Sequence, residues 1–161
     1  MSNIMEQSLS RTTAATIEEL ALLFPEADPT PEQAAAPLDV TVSVDFRGPL
    51  TGRLVLRASE SILPAIASNM LGEDESQHAP LQRDALGELA NVICGNVLPI
   101  VAGAEAVFHL NAPQIHRQDS QRSRETDAPR ASTTFGVEDG RVQAELYVFD
   151  DASALVGAGV A

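Results

Sequence analysis

Four residues of this sequence stand at spacings that let them act together: Asp84, Glu88, Asn91 and Gly95. A helix turns about 100° per residue, so with Asp84 at zero Glu88 falls near +40°, Asn91 near −20° and Gly95 near +20°. The four form a straight ridge on which a carboxylate and an amide stand side by side. A carboxylate is the natural partner of an ammonium, while a neutral amide offers both a donor and an acceptor and repels no anion. Two helix-weakening residues adjoin the ridge. Gly95 costs about 1 kcal/mol relative to Ala, and Pro99 clashes with the carbonyl four residues before it, that of Gly95. Either packing requires a kink here, or the missing side chain below Asn91 lets a partner's surface come close. Taken alone, Glu-x-x-Asn is also what a solvated helix face looks like.

Other chemistry is poorly supported. Cys94 falls near 280° on the same wheel, flanking the apolar stripe, and no His adjoins it in sequence, so it reads as a core thiol rather than a nucleophile. His78, His109 and His116 lack close metal-ligand spacing, and two of them sit in loop-like sequence, so no metal site is expected. There is no phosphate-cradling glycine loop and no Gly-x-Ser-x-Gly.

The helix that carries the ridge runs from about Leu81 to about Ala104, with Leu86, Leu89, Ile93, Val97, Ile100 and Ala104 as its buried stripe. Before it, Asn3 to Phe24 reads as one helix (3–24) stopped by Pro25, and 25–37, with four prolines, as an exposed connector. Val40, Val42, Val44 and Phe46 alternate with polar residues and predict a half-buried strand. Gly48-Pro49 marks a turn and Thr51 to Leu56 a second strand. Ser59 or Ser61 can cap a helix with Ile62, Ile66 and Met70 on one face and Gly72 as its stop. After the acidic loop 73–80 and the long helix comes a strand region from Phe108 to Ile115, broken by Pro113, and then a polar loop over 117–130. Ser132 to Val137 and Arg141 to Phe149, joined around Asp139-Gly140, predict a hairpin. The tail 150–161 is small and apolar. This order of helices and strands predicts a single α+β domain over 1–161, with its core in 38–149 and an antiparallel sheet packed by long helices.

The stretch Asp84-Ala85-Leu86-Gly87-Glu88-Leu89-Ala90-Asn91-Val92-Ile93-Cys94-Gly95-Asn96 resembles the signature helix of the CheC, CheX and FliY phosphatases. In that family an acidic or hydroxyl residue, Glu and Asn keep this spacing and a Gly-Asn pair follows. A proline roughly twenty residues beyond the Asn belongs to the same pattern, and Pro113 stands there, offset by about one position. The likeness covers roughly 38–149 and is strongest to CheX, because the sequence holds one Glu-x-x-Asn rather than two. It implies a CheX/CheC-like fold and hydrolysis of the phosphoaspartate on a phosphorylated CheY-like response regulator. It further implies that Asn91 orients the attacking water and that Glu88 pairs with the receiver's lysine, with Asp84 supporting and Gly95 at the contact. The chain itself would bind no cofactor, since the Mg2+ belongs to the receiver, and a homodimer pairing through its sheets is implied. The alternative is a non-catalytic receiver-binding or flagellar-switch module of the same fold.

Composition limits the remaining classes. The net charge is −13, from 23 acids against 10 basic residues, all Arg. The one Arg cluster (Arg117, Arg122, Arg124, Arg130) is interleaved with Asp119, Glu125 and Asp127, so nucleic acid is not an expected partner. Acidity serves solubility as well as encounter with a lysine-bearing partner. A single cysteine excludes an internal disulfide framework and fits a reducing compartment. The N-terminus has no basic and apolar leader and no run approaches a membrane span, so the expected location is cytoplasmic.

Overall fold

The computed structural model describes residues 2–72, 78–117 and 128–149. In chain order its elements are α1 (Ser2–Leu20), α2 (Pro31–Ala35), β1 (Val40–Arg47), β2 (Gly52–Ala58), a 3-10 turn (Glu60–Ile62), α3 (Leu63–Leu71), α4 (Ala79–Ala102), β3 (His109–Leu110), β4 (Gln114–Arg117), β5 (Ala131–Val137) and β6 (Gly140–Val148). The strand pairs are all antiparallel: β1 with β2, β2 with β6, and β6 with β5. The far edge of β1 carries two short strands, β3 opposite Phe46 and Arg47 and β4 opposite Val40 to Ser43. This is an α+β fold.

β1 is buried on both faces rather than half-buried, since Thr41 and Ser43 are covered as well as the apolar residues, and alternation only sorts its side chains between the two faces. Val40, Val42, Val44 and Phe46 point into one apolar core with Leu54 and Leu56 of β2 and Ala144 and Leu146 of β6. Helix α4 lies over β1 and β2, α1 lies over β5, and α4 also packs on α1 and α3. α4 is therefore the central helix. By length and composition it could cross a membrane, yet half of its most apolar window is buried in this domain.

Several elements depart from expectation. α1 ends at Leu20, not Phe24, because Leu22 adopts a left-handed backbone (φ 56°) and Leu23 turns its N–H back to the Ile17 carbonyl. That turn leaves Leu22 exposed and buries Leu23, so core packing rather than Pro25 ends the helix. The connector 25–37 is not featureless. Thr30 caps α2, accepting from the Gln33 N–H at 3.1 Å while the Gln33 side chain accepts from the Thr30 N–H at 2.9 Å. Gln33 Nε2 donates to the Glu138 carbonyl, Glu26 exchanges backbone bonds with Gly136, and Arg141 Nε donates to the Ala36 carbonyl. The segment is thus a strap fastened across the β5–β6 hairpin.

The hairpin's loop residues are Glu138 and Asp139, with Gly140 already paired to Val137. α4 runs from Ala79 to Ala102, two residues earlier at both ends than expected. Its expected stripe is corrected too: Ile100 is 58 % exposed and Ala104 lies beyond the helix, whereas Ala90, Cys94 and Leu98 are buried. A helix enclosed by α1, α3 and the sheet buries a wider arc than one resting on a sheet alone. The region from Phe108 is split by Pro113 into β3 and β4. Arg117 belongs to β4, while 118–127, with Arg122 and Arg124, and the tail from 150 lie outside the described residues.

Candidate functional site

Over Asp84 to Gly95 the wide buried arc of α4 leaves a narrow strip to solvent, while Asn96 and Ile100 are exposed on another side of its last turns. Asp84, Glu88 and Gly95 are exposed and Asn91 is half-buried, so the structure sets all four expected residues on that strip. Glu88 and Asn91, three residues apart, hold their Cβ atoms about 5–6 Å from one another. Asp84 lies one turn before Glu88, and two like charges at that spacing repel by about 0.2–0.5 kcal/mol, which a docking cation would relieve. Around Gly95 a built Cβ meets nothing within 4 Å. Packing among the described residues therefore gives no reason for the missing side chain, and the helix continues through Pro99 to Ala102. Of the two accounts of Gly95, room for an approaching surface is the one this open space favours.

One flank of the strip is closed by the break in the sheet's edge. Between β3 and β4 the chain leaves β1, with the Asn111 N–H on the Asp45 carbonyl at 2.9 Å, and Pro113 comes to rest on Gly87. A Cβ on Gly87 would stand 3.3 Å from the Pro113 Cβ, so glycine permits this close seat one residue before Glu88. Three residues on, His116 shares a 2.7 Å hydrogen bond between its Nε2 and Ser43 Oγ, which ties β4 to β1. His116 sits in a strand and is buried, contrary to the loop-like reading of its surroundings. Its burial, and then the charge of Arg53, push its pKa below the ordinary 6.5, while Asp45 pulls the other way.

Cys94 is buried, and desolvation followed by the charge of Asp45 pushes its thiol up to about 12, so it stays protonated and is no nucleophile. Among the described residues no three His, Cys, Asp or Glu side chains converge as a metal site. The Ser43–His116 bond and the Thr30–Gln33 cap were missed in the sequence. A signal existed for the second, since Thr30-x-x-Gln33 is a capping-box spacing, whereas cross-strand partners leave none.

An antiparallel sheet backed by a central helix is the architecture of a group of chemotaxis proteins with solved structures. CheX from Vibrio vulnificus shares 18 % identity, over 92 % of this chain and 98 % of that one, with a TM-score of 0.70. CheX in the CheX–CheY–BeF3–Mg2+ complex from Borrelia burgdorferi shares 14 % over 88 % and 96 %, at 0.64. FliY from Thermotoga maritima shares 16 % over 97 % and 91 %, at 0.55. No curated protein sequence matches the chain. Residues 40–136 match the family model described as chemotaxis phosphatase CheX, and the chain belongs to that family.

Proposed function

We propose that this protein hydrolyses the phosphoaspartate of a CheY-like response regulator in the cytoplasm, in chemotaxis or a related two-component pathway. The observation that carries the reading is the pairing of Glu88 with Asn91 on the solvent strip of α4 between Asp84 and Gly95, in a domain of the CheX family. The Borrelia complex of CheX with CheY supports a receiver as the partner.

In this reading the strip enters the receiver's active site. Glu88 pairs with the receiver's lysine, Asp84 adds to the local negative field, and the open space at Gly95 admits the receiver's surface. Asn91 accepts a hydrogen bond from a water and holds it in line with the phosphorus. The water oxygen bonds to phosphorus as the acyl phosphate P–O bond breaks. Aspartate leaves as carboxylate, and the water's proton ends on the phosphate products. Positioning and charge stabilisation supply most of the barrier reduction in such transfers. Mg2+ belongs to the receiver, and pairing of two chains through their sheets would give two independent strips.

Phosphate release from a phosphorylated CheY-type receiver, with and without the protein, tests the reading. Asn91→Ala should lower the accelerated rate by about 100-fold or more, the scale for losing one positioned hydrogen-bonding group at a reacting centre. Acceleration that survives Asn91→Ala would remove Asn91 from the mechanism. A second reading, a non-catalytic flagellar-switch or receiver-binding module of the same fold, draws on a likeness to the FliM middle domain from Vibrio alginolyticus (12 % identity, TM-score 0.53). It predicts receiver binding with no faster release.

A further inference from the structure

A strip of four residues is too small to identify a globular partner, since a standard protein–protein interface engages about 20–30 residues a side. A receiver that reaches Asn91 must also rest on what flanks α4. The Pro113 flank is closed by its contact with Gly87. The opposite flank is open. There, beside Gly95, a groove of about 280 Å³ separates α4 from α1, lined by Arg11, Thr12, Ala15, Thr16, Glu19 and Asn96.

The α1 wall of this groove has two tiers. With Arg11 at zero, Ala15 falls near 40° and Glu19 near 80°, while Thr12 and Thr16 fall near 100° and 140°. The threonines form the floor: both are buried, and Thr16 Oγ1 donates to the Thr12 carbonyl at 2.8 Å, which satisfies its hydroxyl proton within the helix. Arg11, Ala15 and Glu19 form the exposed rim, one cation and one anion separated by a small residue. Asn96 faces them from α4, one residue after Gly95. The rim thus presents fixed charges of both signs next to a strip that is only acidic or neutral.

We infer that the α1 rim of this groove, through Arg11 and Glu19, is the surface by which the protein selects its receiver, reading an acidic and a basic side chain beside the receiver's phosphorylation site. This rests on the proposed phosphatase reading and adds a division of labour to it. The strip does the chemistry common to receivers, and the groove sets which receiver docks. Charges at an interface rim act mainly on encounter and on rejection of wrong partners, so the groove should govern KM and leave kcat alone.

The experiment measures kcat and KM for phosphate release from the preferred receiver with wild type, Arg11→Glu, Glu19→Arg and Ala15→Trp, and dissociation constants for the beryllofluoride-activated receiver. All three substitutions are at exposed positions. Each should raise KM and the dissociation constant about tenfold while kcat at saturation stays within about twofold, and Arg11→Glu should shift preference toward receivers with a basic residue at the matching place. Asn91→Ala should show the converse, with kcat lost. Unchanged KM and binding in all three variants beside an active wild type would overturn the groove and leave the phosphatase intact. Failure of wild type to bind or turn over any receiver would overturn both. A change of oligomeric state in Arg11→Glu, seen by sedimentation, would assign the groove to a second copy of the chain instead.

Discussion

At the residue scale the least ordinary feature of α4 is Gly95, a helix-interior glycine that no contact among the described residues requires. Its Cβ position is open. Gly95→Ala should therefore raise the unfolding free energy by about 1 kcal/mol, the propensity difference in a helix interior. In the proposed complex the added methyl stands between α4 and the receiver, so receiver-stimulated phosphate release at subsaturating protein should fall. Urea melts and phosphate release on the same preparation check both. A variant that is more stable and equally active would mean that no surface approaches Gly95. The ridge was legible in the sequence, because Asp84, Glu88, Asn91 and Gly95 need only the 3.6-residue repeat to share a face. Their isolation was not, since the burial of Ala90, Cys94 and Leu98 beside them depends on which elements surround α4.

At the scale of elements the strap is the unexpected part. Four prolines in 25–37 read as an exposed connector, and that composition hid a capping-box spacing that is visible once sought. The end of α1 was not visible at all, because nothing in the residue type marks Leu22 for a left-handed conformation. Gln33 is where the strap meets the hairpin. It is buried, holds Thr30 through two bonds and donates to the Glu138 carbonyl, and a Cβ on Gly136 would stand 2.1 Å from its Oε1. Gln33→Ala leaves the Gln33 N–H on Thr30 Oγ1 but should cost about 1–3 kcal/mol, through the Thr30 N–H and the Glu138 carbonyl that lose their side-chain partner. Gly136→Ala should cost a similar amount by driving the amide from its place. The double variant should then cost less than the two single costs combined, because removing the amide makes room for the methyl. Additive costs in denaturant melts would show that the two positions act separately.

At the scale of the whole molecule, acid stability tests the join between the sheet's edge and the site. The Ser43–His116 bond fixes β4 on β1, and β4 follows directly from the Pro113 seat against α4. His116 faces Ser43 and Asp45 of β1 and Arg53 of β2, with its pKa lowered by burial first and by Arg53 second. A histidine whose folded pKa lies below its unfolded value binds its proton more readily in the unfolded chain. Its contribution is therefore fully present above about pH 6.5 and is lost as the pH falls through the lowered folded value. The net charge of −13 acts in the opposite sense, because protonating any group on an acidic protein relieves self-repulsion. The two effects separate by comparison with His116→Gln, which keeps a hydrogen-bonding partner for Ser43 and removes the titration. Between pH 7.5 and 5.5 the wild type should lose more unfolding free energy than His116→Gln, and the amide signals of 114–117 should shift with the His116 titration. Equal losses in the two proteins would mean that His116 is protonated as readily in the fold as in the unfolded chain, and that β4 is held by its backbone ladder alone.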